Sequence, residues 1–174
     1  FHTPVIMVYP VAEYAELVPD IAGEAALLAQ VATDPAVTKP EFGYPFLPIW
    51  GAAQVYAAQA TPVAFASGTG IRYVTQYSQA LTNANNREMF YTFQGLTADG
   101  RYWVAAVLPV AAAGFPENSD ALYNRADLDA YLESGQFETD FDADIMRLQG
   151  LASSDFTPPL ESLDALVGSI AIVK

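Results

Sequence analysis

The residues best suited to binding chemistry are aromatic rings interleaved with amide and guanidinium side chains in the middle of the chain. Rings supply a large apolar area and amides fix orientation, a combination that suits a sugar or a peptide. Core packing is the competing interpretation, because most such rings are buried in folded proteins. The candidate ligand-binding residues are Arg72, Tyr73, Gln76, Tyr77, Tyr91, Gln94 and Trp103.

Nucleophilic and zinc chemistry have almost no residues to use. His2 is the only histidine, it lies near a chain end, and there is no cysteine. A Ser-His-Asp triad would have to recruit that histidine, and the chain has no Gly-x-Ser-x-Gly motif. The absence of cysteine also excludes disulfides and thiolate metal sites. We therefore assign no catalytic residue and no cofactor.

Three aspartates spaced by two, Asp140, Asp142 and Asp144, resemble the start of a calcium loop. An EF-hand loop needs glycine at its sixth position and glutamate at its twelfth, and here these are Ile145 and Leu151. The pattern fails, and a solvated acidic loop or helix start is the simpler interpretation. We assign no metal ligand.

Glycoside hydrolysis needs only two carboxylates, so the composition permits it. The spacing of the acids singles out no pair, and Glu88, beside the aromatic strand, is the one acid near a possible groove. A deep pocket with two carboxylates about 5–10 Å apart would favour a hydrolase. A shallow strip of exposed rings would favour a binding module, and a large contiguous apolar patch would favour docking on another protein.

The predicted elements that must position these residues do not follow the βαβ alternation of a parallel sheet. Two aromatic, β-branched runs, Met89–Leu96 and Tyr102–Val110, flank Asp99-Gly100, which predicts a hairpin turn. Further predicted strands are a buried one at Val5–Tyr9, Pro62–Phe65, Ile71–Tyr77 and a last one at Ser169–Val173. Predicted helices are Val11–Val18, one between Asp20 and Asp34, Ile49–Ala58, one opened by Asp127, Phe141–Leu148 and Ser162–Val167.

This order predicts one α+β domain over residues 1–174, with a central antiparallel sheet, a long aromatic hairpin and flanking helices. Both hairpin strands are apolar on both faces, whereas a sheet with one wet face alternates apolar and polar residues. Either helices cover both faces, or one face carries an aromatic binding surface.

Charge and composition narrow the partners. The net charge of −13 disfavours nucleic acids and anionic membrane surfaces. The uncharged stretch 42–71 is interrupted by Pro45, Pro48 and Pro62, so we expect no direct membrane insertion. Low lysine content and ten tyrosines are typical of an exported bacterial protein. The expected location is therefore extracytoplasmic.

A resemblance points the same way. Gly-x-Gly-Ile-Arg-Tyr-Val-Thr-Gln-Tyr at 68–77, Asn-Asn at 85–86 and Phe-Tyr-Thr-Phe-Gln-Gly-Leu-Thr-x-Asp-Gly-x-Tyr at 90–102 resemble an uncharacterised family of exported bacterial lipoprotein-like proteins. The stretches 9–11 and 45–54 fit the same pattern. The resemblance implies export to the cell surface or beyond, but no catalytic residue is carried over.

The sequence thus favours a non-enzymatic extracytoplasmic module, binding or structural, whose partner is an unknown protein or a carbohydrate. A carboxylate-dependent glycoside hydrolase and an accessory subunit of a larger membrane complex are the alternatives.

Overall fold

The computed structural model describes residues 3–34 and 43–173, so His2 lies outside the described residues. The strands are β1 (Val5–Pro10), β2 (Ala53–Phe65), β3 (Gly68–Ser78), β4 (Phe90–Thr97), β5 (Tyr102–Pro109), β6 (Ala111–Ala112) and β7 (Phe156–Thr157). The helices are α1 (Val11–Leu17), α2 (Ile21–Val31), α3 (Asp120–Tyr123), α4 (Leu128–Glu133), α5 (Gln136–Gly150) and α6 (Leu160–Gly168), with a 3-10 turn at Ser153–Asp155.

The principal sheet has five strands in the order β1-β5-β4-β3-β2, and every neighbouring pair is antiparallel. Helices α1 and α2 pack on one face, which we call the α2 face, and α5 and α6 pack on the other, the α6 face. Strands β6 and β7 form a separate two-stranded pair. The predicted α+β class, with a central antiparallel sheet flanked by helices, is confirmed.

The doubly apolar hairpin strands are explained by helices on both faces. On the α2 face, Tyr73 and Trp103 pack with Leu28 of α2. On the α6 face, Phe93 and Val104 belong to a second core cluster that also contains residues of α5 and α6. Both faces of these strands therefore contact apolar residues, so apolar and polar side chains need not alternate along them.

The predicted hairpin turn is confirmed. Gly100 has φ +69°, a left-handed conformation that glycine adopts without steric cost. Its N–H donates to the carbonyl of Thr97 at 2.7 Å, and the Thr97 hydroxyl donates to Asp99 Oδ1 at 2.7 Å. The chain is thereby reversed between β4 and β5 using only local contacts.

Two predicted elements are wrong. The helix predicted at Ile49–Ala58 is absent, because β2 begins at Ala53 and pairs with β3. Tyr56 and Ala58 are both buried while their neighbours are less so, which is the period-two pattern of a strand hidden by an alanine-rich composition. The strand predicted at Ser169–Val173 is also absent, because this segment runs past the β2–β3 turn and its Ile172 N–H donates to the Ser67 hydroxyl at 2.7 Å.

The strand predicted at Val5–Tyr9 is present as β1, but it is not buried. It lies at the edge of the sheet, where Val5, Ile6 and Val8 are 39%, 43% and 44% exposed. Composition alone does not separate an apolar edge strand from a central one, because burial depends on strand order. The helices predicted at Val11–Val18, after Asp20, after Asp127, at Phe141–Leu148 and at Ser162–Val167 are confirmed, the fourth as part of a longer α5.

Candidate functional site

The seven predicted ligand-binding residues are divided between the two faces of the sheet, because successive strand residues point to opposite sides. Those on the α2 face are Tyr73, Tyr77, Gln94 and Trp103, and those on the α6 face are Arg72, Gln76 and Tyr91. All except Tyr77 are buried. The structure therefore does not bring the seven together into one surface.

On the α2 face, Gln94 joins β4 to β5 and to the loop before β2. Its Oε1 accepts from Trp103 Nε1 at 2.7 Å and from the Leu47 N–H at 3.1 Å. Its Nε2 donates to the Leu47 carbonyl at 3.0 Å and to the Thr92 hydroxyl at 2.8 Å. An amide side chain has two donor protons and one acceptor oxygen with two lone pairs, so all its capacity is used within the protein.

The two tyrosines of the α2 face are held by similar internal bonds. The Tyr73 hydroxyl donates to the Pro45 carbonyl at 3.2 Å, and burial raises its pKa well above the usual value. The Tyr77 hydroxyl accepts from Gln54 Nε2 at 3.0 Å. Its ring packs against Trp50 and Phe46, with centroid distances of 5.3 and 4.7 Å.

On the α6 face, Asp164 of α6 ties two strands to the helix. Arg72 Nε lies 3.2 Å from Asp164 Oδ1, and the Tyr91 hydroxyl donates to the same oxygen at 2.9 Å. The Arg72 guanidinium also donates to the Gln59 carbonyl. Burial is the main reason why the pKa of Tyr91 is raised, and the Asp164 carboxylate adds to it.

Gln76 belongs to a polar cluster at the end of β3. Its Nε2 donates to Glu88 Oε2 at 2.9 Å and to the Thr82 hydroxyl at 2.9 Å. Asn85 Nδ2 donates to the same Glu88 oxygen at 3.1 Å. Glu88, the acid singled out from the sequence, thus holds the 79–89 loop against β3. The polar atoms described for these residues form hydrogen bonds within the protein. Ligand binding by the seven residues stays a prediction.

An open groove lies between α3, α4 and α5, and we call it the α4–α5 groove. Its volume is about 250 Å³. Its lining includes Asn83, Arg125, Tyr131, Phe137, Asp140, Phe141 and Asp144, together with Ala121 and Leu122 of α3. Three aromatic rings and two carboxylates line this one open groove.

Helical spacing builds the floor of the groove. Gly135, with φ +73°, ends α4 and lets the chain turn directly into α5. Residues four apart lie on the same side of a helix, so Phe137 aligns with Phe141 and Asp140 with Asp144. The Phe137 ring stacks on Phe141 at 5.9 Å and meets Tyr131 of α4 edge-on at 6.1 Å.

The groove carboxylates are held as hydrogen-bond acceptors. Asp140 accepts from the Tyr131 hydroxyl and from Gln136 Nε2, each at 2.7 Å, and these two bonds lower its pKa. Asp144 Oδ1 is 3.0 Å from Arg147 Nη2. General acid catalysis at neutral pH needs a carboxyl whose pKa is raised. Asp140 is shifted in the opposite direction.

The positively charged side chain of Arg125 lies on one wall of the groove. The Arg125 guanidinium carbon sits 3.8 Å from the Tyr131 ring centroid, and its Nη2 is 3.1 Å from Asp127 Oδ2. The three aspartates that resembled a calcium loop are spread along α5, where residues two apart do not face each other. Within residues 3–34 and 43–173, no three histidine, aspartate or glutamate side chains come together as metal ligands.

This groove was not among the sites predicted from the sequence. The available signal was the i, i+4 spacing of Phe137 with Phe141 and of Asp140 with Asp144, next to Tyr131. This spacing alone does not reveal the groove, because Tyr131 lies on α4 and the other residues lie on α5.

The fold and the groove together define an α+β protein with a five-stranded antiparallel sheet, helices on both faces and an aromatic-acidic groove between helices. No protein-family model, no curated protein and no solved structure matches the chain. No helix in the described ranges is both long and apolar enough to cross a bilayer. The function is therefore argued from the groove itself.

Proposed function

We propose that this protein is an extracytoplasmic, non-enzymatic module that binds a carbohydrate in the α4–α5 groove. The observation that carries the proposal is the meeting of three aromatic rings with two carboxylates in one open groove. The volume, about 250 Å³, is below the roughly 300–1,000 Å³ of pockets for drug-sized ligands. A single sugar ring or the end of a glycan chain matches it.

The chemistry of the lining suits a sugar ring. The C–H face of a pyranose is apolar and packs on aromatic rings, here Tyr131, Phe137 and Phe141. Its hydroxyls need acceptors held in fixed positions, and Asp140 is fixed by two hydrogen bonds of 2.7 Å. Asn83 adds a side-chain amide whose Nδ2 has a second proton to donate.

The hydrolase is the second candidate because Asp140 and Asp144 lie one helical turn apart in the same groove. Both retaining and inverting mechanisms need one carboxyl that stays protonated until it donates to the leaving group. The lowered pKa of Asp140 opposes that role. Asp144 Oδ1 is 3.0 Å from Arg147 Nη2, so this carboxylate is already engaged within the protein. Binding without turnover is the function that these carboxylates support.

The proposed location rests on composition and on the resemblance to exported bacterial lipoprotein-like proteins. A net charge of −13, two lysines among 174 residues and no cysteine fit a protein of the bacterial cell surface. An accessory role on a larger membrane complex would place the groove in an interface, and glycan titration separates the two.

The test is calorimetric titration with chitotriose and cellotriose, accompanied by an assay for released reducing ends. We expect one of the two glycans to bind, without turnover. Phe137→Ala should weaken binding by about tenfold, the upper end of what one ring contributes. Tyr102→Ala is the matched control, because Tyr102 is a partly exposed tyrosine of β5 outside the groove lining. Equal loss in both variants, or release of reducing ends that Asp140→Asn abolishes, would contradict the proposal.

A further inference from the structure

The two edges of the principal sheet differ in how they are protected. The β2 edge is interrupted by two register shifts and by Gln59, whose φ is +59°. The Gln59 N–H donates to Gln149 Oε1 at 2.7 Å, and its Nε2 donates to the carbonyls of Leu148 and Leu151 at the end of α5. Bulges and covering segments are the usual protection of an edge strand. The β2 edge has both.

Within residues 3–34 and 43–173, the β1 edge has neither a bulge nor a covering segment. Among the described residues, β1 has a strand neighbour on one side only. Its sequence Val-Ile-Met-Val-Tyr-Pro carries no charge, and its register with β5 is unbroken. Ile6 and Val8 are 43% and 44% exposed on it. Flat apolar edges without charged side chains are templates for pairing with another strand.

The backbone groups that face outward can be assigned. The Val11 N–H donates to the Arg101 carbonyl at 2.9 Å, directly after the β1–β5 ladder. Hydrogen-bonding direction alternates along an antiparallel strand, so Val5, Met7 and Tyr9 point their backbone groups at β5. Ile6 and Val8 therefore point theirs outward. Pro4 and Pro10 are also positions whose backbone groups face away from β5. The N–H that proline lacks is therefore not needed for the ladder with β5.

This outward pattern is complementary to itself. We propose that two copies of this chain pair antiparallel through β1, with a two-fold axis at Met7. That register joins Ile6 to Val8 of the second copy and Val8 to Ile6 of the second copy, which satisfies both outward N–H groups and both carbonyls of each chain. Pro4 then faces Pro10 of the second copy, so no donor is stranded. A two-fold axis requires this kind of self-complementary surface, whereas an unrelated strand would not need to match the proline spacing.

The same pairing covers the exposed side chains. Ile6 pairs with Ala106 and Val8 with Val104 of β5, both on the α6 face. Opposite residues of neighbouring strands pack together, so Ile6 of one copy would cover Val8 of the other. The result is a continuous ten-stranded sheet. Two chains of charge −13 repel each other, so salt strengthens this dimer by screening.

Sedimentation velocity of the full chain over a concentration series, at low and high sodium chloride, is the first test. We expect a monomer–dimer equilibrium that shifts toward dimer at high salt. Ile6→Lys should raise the dissociation constant by about tenfold or more, because it loses one buried apolar side chain and adds a charge at the edge. Leu166→Lys is the matched control, since Leu166 is an exposed apolar residue of α6. A monomer at all concentrations and salt conditions, or equal effects of the two lysines, overturns the proposal.

Single cysteines test the register, and the natural chain has none to interfere. At the two-fold axis the two Met7 Cα atoms form a non-hydrogen-bonded pair about 4.5 Å apart, within the range for a disulfide. The two Val5 Cα atoms would be about 14 Å apart, too far to bridge. Under mild oxidation Met7→Cys should cross-link and Val5→Cys should not. Cross-linking of Val5→Cys at the same rate, or a dimer that leaves Met7→Cys unlinked while it stays folded, overturns the two-fold pairing.

Discussion

Replacing Gln94 by alanine tests whether the central rings and amides form core. Gln94 and its partner Thr92 are 0% exposed, and its partners Trp103 and Leu47 are each 1% exposed. The variant leaves the Trp103 indole N–H and the Leu47 N–H and carbonyl without their partner. In the native protein, the Gln94 side chain forms a hydrogen bond with each of these three groups.

Each buried polar group left unsatisfied costs about 1–3 kcal/mol. Three such groups set an upper range of about 3–9 kcal/mol, and a water entering the space vacated by the side chain offsets part of it. We therefore expect a loss of about 3–5 kcal/mol in the free energy of unfolding. For a chain of this size, that corresponds to a fall in Tm of about 10 °C.

The assay is urea unfolding followed by tryptophan fluorescence and by circular dichroism, with Gln30→Ala as the control. Gln30 is an exposed residue of α2, where alanine is a good helix former, so its replacement should change stability by less than about 0.5 kcal/mol. A loss below about 1 kcal/mol for Gln94→Ala, together with weakened glycan binding, would refute the core assignment and return Gln94 to the binding surface.

Three further outcomes follow from individual contacts. Gly100→Ala should destabilise the hairpin by about 1–2 kcal/mol because of the +69° φ, whereas Gly150→Ala, with open space around it, should be neutral or stabilising in thermal unfolding. Asp164→Ala should cost at least about 2 kcal/mol in urea unfolding, because it removes the carboxylate that holds β3 and β4 to α6. Tyr131→Phe should raise the pKa of Asp140 measured by NMR titration, since the Tyr131 hydroxyl is the largest cause of its lowering. The folded-state pKa of Asp140 lies below its unfolded value. Its contribution to stability is therefore present above the unfolded pKa and is lost as pH falls through the folded pKa. An unchanged Asp140 pKa in Tyr131→Phe would contradict the role of the Tyr131 hydroxyl.

The hairpin and most helices could be predicted from sequence because their signals are local. Asp99-Gly100 dictates a turn through the φ of one residue, and the helix after Asp127 follows from side-chain spacing. The exposure of β1 could not be predicted, since it depends on which strand takes the edge. The strand that begins at Ala53 could not be predicted for a related reason. Its hydrogen bonds come from pairing with β3, and its own composition does not indicate a strand.

The groove depends on tertiary packing to a greater degree. Tyr131 and Phe137 lie on different helices, and only the turn at Gly135 brings their rings to 6.1 Å. Conversely, Tyr73 and Arg72 are adjacent in sequence but point to opposite faces of the sheet. Because side chains alternate along a strand, the predicted ligand-binding residues are split between the two faces. A list of suitable residue types does not say which side of a sheet each one occupies.

The most direct measurement is a nitrogen-15 NMR titration of the full chain with whichever of chitotriose and cellotriose binds. We expect amide shifts concentrated at residues 120–145 and around Asn83, with Tyr131 and Phe137 among the largest. Shifts concentrated along β3 to β5, or no perturbation by either glycan at millimolar concentration, would contradict carbohydrate binding in the α4–α5 groove.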